Sequence, residues 1–156
     1  MIARTLGGFR FVLCASPAYL AEYGVPGSPA ELAAHKCIFF RFPATGLIQP
    51  WELRDMRLTG DFRAASVITV NNIEAVIRLS TAEMGIGYVP NFVVREAMDE
   101  GRLQEVLPGC CVKEGHFSVL WSASRYLSSR IRCFIDFMAA AEIPLSPASA
   151  PSIPCI

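Results

Sequence analysis

The sequence predicts an α/β fold built on a mainly parallel or mixed sheet. Two observations carry this expectation. Short apolar runs with strand character alternate with helix-period segments along most of the chain. Helix-capping residues recur directly after those runs, so strand leads to helix repeatedly. With 156 residues the chain suits one domain, or two small lobes sharing a hinge.

The first strand is expected over residues 9–15, nearly all apolar from Phe11, as in a strand covered on both faces. Ser16 then caps a short helix with Pro17 at its first position, Tyr19 and Leu20 on its inner face, and Gly24 at its end. Ser28-Pro29-Ala30-Glu31 reads as a capping box opening a second short helix to about His35. Residues 36–42 read as a buried strand, broken by Pro43 and Gly46. Short strands follow around Trp51, over 57–63 and over 67–70. Asn71-Asn72-Ile73-Glu74 is the clearest helix start, with Asn71 as cap and Ile73, Val76, Ile77 and Ser80 at helical spacing. Gly85 is expected to end that helix and lead into a strand finishing at Pro90. Asn91 is then expected to cap a helix that stops at Gly101. Strands follow at 103–107 and 116–121. A last helix opens at Ser128, carrying Ile131, Phe134, Ile135 and Met138 on one face. The Pro/Ser/Ala-rich residues 143–156 are expected to be a disordered tail.

Composition narrows the function. Fourteen Lys and Arg balance fourteen Asp and Glu, which argues against a chain that itself grips phosphates. A hydrophobic share of 53% can bury a core and leaves apolar surface for a partner, a second copy or another piece of protein. No apolar run approaches the ~18 residues of a membrane span, and the first residues lack a secretory apolar core. The six cysteines form no C-x-x-C pair and only two histidines are present, so neither a metal site nor a cofactor is implied. The thiols are read as reduced and the chain as cytoplasmic.

No nucleophile elbow, metalloprotease motif or phosphate-binding loop occurs. Cys37 with His35 is the one conceivable catalytic pair, and a buried Cys beside a helix-end His is the plainer reading. A binding function has more support. In open α/β sheets ligands bind where strands end and helices begin, facing free N–H groups. Three such junctions carry small polar residues: Ser16, Asn71-Asn72, and Pro90-Asn91. The loop after Phe40 adds a cation, an apolar wall and a hydroxyl in Arg41, Phe42 and Thr45. The set suits a small anionic or aromatic ligand, although each cap can be no more than a cap.

The run Arg10-Phe11-Val12-Leu13-Cys14-Ala15-Ser16-Pro17-Ala18-Tyr19-Leu20 resembles a signature of LysR-type transcriptional regulators. So do Pro29-Ala30-Glu31-Leu32, Val70-Asn71-Asn72-Ile73-Glu74-Ala75, Met84-Gly85-Ile86-Gly87-Tyr88-Val89-Pro90, and Gly101-Arg102-Leu103, in that order. Ser128 to Phe137 is similar to the family's final helix. The resemblance implies the effector domain of such a regulator, a fold like the type II periplasmic binding proteins with a mixed central sheet. Lobe two would be complete at 16–112. Lobe one would be partial, with a crossover strand at 1–15 and a return strand and closing helix at 113–142. The resemblance places an effector between the lobes, near Ser16, Arg41, Phe42, Asn72 and the Gly87 to Pro90 turn. Partners would be that small molecule and further copies of the chain, with no membrane. DNA would be reached only through a winged helix-turn-helix that this chain does not contain. The alternatives are a solute-binding module with no regulatory role, and an enzyme using Cys37.

Overall fold

The computed structural model describes residues 2–121 and 129–140. Its elements are β1 (Ile2–Ala15), α1 (Pro17–Tyr23), a 3-10 turn (Pro29–Ala34), β2 (Lys36–Phe40), β3 (Trp51–Leu53) and β4 (Met56–Leu58). Then follow β5 (Ser66–Val70), α2 (Ile73–Thr81), β6 (Ile86–Pro90), α3 (Asn91–Asp99), β7 (Gln104–Val106), β8 (Glu114–Trp121) and α4 (Ser129–Ala140). The expected start of the last helix at Ser128 and the expected tail lie outside the described residues.

The main sheet runs β5-β2-β6-β1-β7. β2 is parallel to β5 and β6, whereas β1 is antiparallel to β6 and β7, so the sheet is mixed. The apolar run in β1 is explained by two cores. Phe11, Leu13 and Ala15 enter one, with Tyr19, Phe39, Trp51 and Tyr88. Val12 and Cys14 enter the other, with Ile38, Val76, Val89 and Val94. A strand with helices or loops on both sides has no polar face to show.

β1 is longer than its apolar pattern suggests. Residues 2–10 leave the main sheet and pair with β8, from Ile2 opposite Trp121 to Arg10 opposite Glu114. This ribbon is only half covered, so its sequence lacks the buried run that marks the rest of β1. The register shifts between Thr5 and Gly7.

Local chemistry moved several boundaries. Ser28 opens a 3-10 turn, not an α-helix. Glu31 accepts from the Gly27 N–H at 2.9 Å and from Ser28 Oγ at 3.3 Å, and no side chain caps the turn itself. The expected strand at 57–63 stops at Leu58, where Phe62 N bonds Thr59 O to close a turn. The cap of α2 is Asn72, one residue later than expected: its Oδ1 accepts from Glu74 N at 2.8 Å. The Glu74 carboxylate then pairs with Arg78 and does not close a box. In α3 the cap position is taken by Pro90, and Asn91 is the first helical residue. α2 ends at Thr81, short of Gly85. Gly85 has φ 148°, and an added Cβ would lie 2.5 Å from the Lys36 carbonyl oxygen. Only glycine lets β6 start this close to β2.

Gly85→Ala should therefore lower the urea midpoint markedly, with a loss of at least about 1 kcal/mol in unfolding free energy and little change in m-value. An unchanged midpoint would contradict this account of the α2–β6 turn.

Candidate functional site

Because β2, β5 and β6 run parallel, their carboxyl ends lie at one end of the sheet. Phe40 is opposite Val70, and Arg41 N donates to Val70 O at 2.7 Å. The chain then folds into a tight loop. Phe42 N donates to Leu47 O, Gly46 N to Phe42 O, and Arg41 bridges Ile48. Gly46, at φ 68°, makes the reversal.

Five of the sequence-derived candidates sit at this edge. The Arg41 side chain is exposed, with Nη1 3.4 Å from Gly46 O. Phe42 is also exposed and packs edge-on against Phe40, centroids 5.2 Å apart. Thr45 Oγ1 accepts from Leu47 N at 3.3 Å, which shapes the loop. Asn72 is exposed at the start of α2, and Pro90 is half-buried at the end of β6. A cation, an aromatic face and two strand-to-helix junctions thus share one end of the molecule.

Ser16 and Gly87 do not join them. β1 is antiparallel to β6, with Phe11 opposite Pro90 and Cys14 opposite Gly87. Ser16 therefore leaves the sheet at the opposite end. It is buried, and its Oγ accepts from Tyr19 N at 3.1 Å as the cap of α1. Gly87 lies within β6 under α2. A Cβ there would sit 2.7 Å from Ser80 Oγ and 2.8 Å from Val76 Cγ1, so its role is close helix-to-sheet approach.

β1 contributes to the edge through residues that sequence reasoning missed. Arg10 N donates to Asn91 Oδ1 at 3.3 Å, and its guanidinium meets both Glu105 oxygens at 2.7 and 3.0 Å. Phe9, Phe92 and Phe117 pack together just beyond. They are far apart in sequence and share no periodicity, and meet only because β1 pairs with both β8 and β6.

The Cys37–His35 pair is not a dyad. His35 is buried with Nδ1 3.1 Å from the Tyr19 hydroxyl, which itself accepts from Lys36 N. The Tyr19 hydroxyl thus ties His35 to the start of β2, and burial lowers the imidazole pKa against the pull of Glu31. Cys37 Sγ faces Leu32 O at 3.7 Å, and burial pushes its thiol up to about 12. A thiol in that state is no nucleophile at neutral pH.

Among the described residues no group of three His, Cys, Asp or Glu side chains is placed to hold a metal ion. No described helix is long and apolar enough to cross a membrane. A depression of about 400 Å³ is lined by Glu74, Ile77, Arg78, Thr81, Ala82 and Arg102, none of them a candidate at the edge. Its arginines are already paired with Glu74 and Glu100.

Comparison with known proteins gives a consistent result. A family profile described as "LysR substrate binding domain" matches residues 1–142. The chain is 36% identical over 141 residues to the uncharacterized HTH-type transcriptional regulator YhjC of Escherichia coli K12, covering 89% of this chain and 46% of that protein. It is 31% identical to the HTH-type transcriptional regulator CrgA of Neisseria meningitidis serogroup C, covering 87% and 45%. The CrgA regulatory-domain structure superposes with a TM-score of 0.69 at 29% identity, covering 88% of this chain and 67% of that one. The full-length virulence activator AphB of Vibrio cholerae shares the fold, with a TM-score of 0.71 at 24% identity over 89% and 47% of the two chains. The chain thus spans about half the length of the curated relatives it matches. These relatives are regulators, and a solute-binding module without regulatory role finds no support among them.

A thiol-reactive maleimide at neutral pH should label exposed Cys133 and leave Cys37 untouched in the folded protein, as read by peptide mass spectrometry. Rapid labelling of Cys37 would restore the nucleophile reading.

Proposed function

Because the chain belongs to the LysR substrate-binding domain family, we propose that it senses a small metabolite for a transcriptional regulator. The observation that carries this is the gathering of Arg41, Phe42, Thr45, Asn72 and Pro90 at the carboxyl edge of the parallel strands. Arg41 supplies a permanent positive charge, and the first turn of α2 supplies unpaired N–H groups and partial positive charge. Phe42 supplies an apolar wall. That combination favours an anionic ligand with an aromatic or apolar body. The chain's role is binding, not catalysis.

In this reading residues 16–112 form one lobe together with the second half of β1, which lies in their sheet, so the expected boundary at residue 15 moves back to about residue 10; residues 2–10, β8 and α4 belong to a second. An effector at the edge shifts closure between them. DNA is contacted by a winged helix-turn-helix outside this chain, and the regulator works in the cytoplasm. Copies associate through apolar surface: Leu120, Phe134 and Phe137 are 61%, 57% and 68% exposed.

A thermal-shift screen of small aromatic and aliphatic carboxylates on the full-length regulator should yield a stabilising ligand. Arg41→Ala should weaken it by about 1.5–3 kcal/mol in calorimetry, the range of a charged hydrogen bond. Unchanged affinity would remove Arg41 from the site. Sedimentation at increasing concentration should show self-association, reduced by Phe134→Asp with Phe137→Asp; a strict monomer at every concentration would refute it.

A further inference from the structure

The two strands that carry the ribbon away from the main sheet are weak in backbone terms. β1 has a register shift between Thr5 and Gly7, with Gly8 next, and β8 has Gly115 opposite Phe9. Two-stranded ribbons twist strongly and hold their shape poorly alone. Helix α4 braces the ribbon through the Arg4–Asp136 pair, and side chains at the junction tie it to α3 beside the main sheet.

The contacts are specific. Phe9 lies 5.3 Å from Phe92 in an edge-on arrangement and 5.1 Å from Phe117. Phe92 and Phe117 are 5.1 Å apart, also edge-on. Each ring thus touches the other two. Phe9 and Phe117 belong to the ribbon, whereas Phe92 stands in the first turn of α3. The Phe9 ring lies flat against Gly115, where an added Cβ would collide with it. One residue back, Asn91 Oδ1 takes the Arg10 N–H.

We propose that Phe9, Phe92 and Phe117 form an aromatic lock that fixes the angle between the β1–β8 ribbon and the main sheet, with Phe92 as its positioning residue on the sheet side. Phe92 is two residues from Pro90, where β6 meets the candidate edge. A ligand that moves Pro90 and Asn91 moves Phe92, and the two ribbon rings follow. The lock itself stands on packing geometry; its use in sensing rests on the effector reading above.

Pulsed dipolar spectroscopy tests the lock without any ligand. Spin labels go on noncanonical residues at exposed Val67 in β5 and Ser118 in β8, because free, exposed Cys133 rules out thiol labelling. The parent protein should give one narrow distance distribution. Phe92→Ala should at least double its width while circular dichroism and a cooperative melt show the fold retained, and Phe92→Leu should restore most of the narrowing. Gly115→Ala should shift or broaden the distribution from the other side, by driving the Phe9 ring off its seat. An unchanged distribution in folded Phe92→Ala would overturn the lock. If that variant does not fold, an unchanged distribution in Gly115→Ala overturns it equally. Broadening in these variants, with effector affinity unchanged by Arg41→Ala, would uphold the lock and overturn the effector edge instead.

Discussion

β1 is the strand on which the rest of the molecule depends. Its second half is hydrogen-bonded on both sides, to β6 and β7, and sends side chains into both cores. Val12, Leu13, Cys14 and Ala15 are at most 1% exposed. Full burial of one aliphatic side chain contributes about 1.5–3 kcal/mol, a large part of a small domain's net stability. Its first half leaves that sheet and becomes the ribbon that supports β8. One strand therefore joins the two parts of the chain, and its direction decides what can meet at their boundary.

That direction also explains the composition of the candidate site. Three parallel strands deliver Arg41, Asn72 and Pro90 to one edge, as an open α/β sheet should. The antiparallel β1 passes this edge at Arg10 and Phe11 in mid-strand and ends at the far side. Ser16, just past its end, caps α1, while its mid-strand residues face the boundary. Arg10 is held there by Asn91 and by both oxygens of Glu105, two anchors on separate elements. A half-buried bidentate pair of this kind fixes geometry more than it adds stability.

What was legible in the sequence follows from what is local. The caps at Ser16 and near Asn72 and the apolar run of β1 depend on neighbours a few residues away, and each lies at or within one residue of its expected place; the end of α2, expected at Gly85, falls at Thr81, because Gly85 serves the approach of β6 to β2 and not the helix end. The 3-10 turn at Pro29 is not legible, because Ser28 and Glu31 fit a capping box while Glu31 serves the Gly27 N–H instead. Strand direction is not local. Nothing in residues 9–15 says that this strand runs against β6, and so in sequence Ser16 looks like the junctions at the other end. The Phe9–Phe92–Phe117 cluster is hidden for the same reason, since its members meet only through long-range pairing.

The chemistry left available at the edge is narrow, and the folding of the remainder makes it so. Burial pushes the thiols of Cys14, Cys37 and Cys111 each up to about 12, and His35 is occupied by Tyr19. These groups are removed from reactivity at neutral pH because they serve the interior. Arg41 differs: it is exposed, on a loop held in shape by its own backbone hydrogen bonds and anchored to β5 through Val70. An exposed loop mounted on a buried parallel sheet gives such a side chain a rigid base while leaving its guanidinium open to solvent beyond the one contact with Gly46 O.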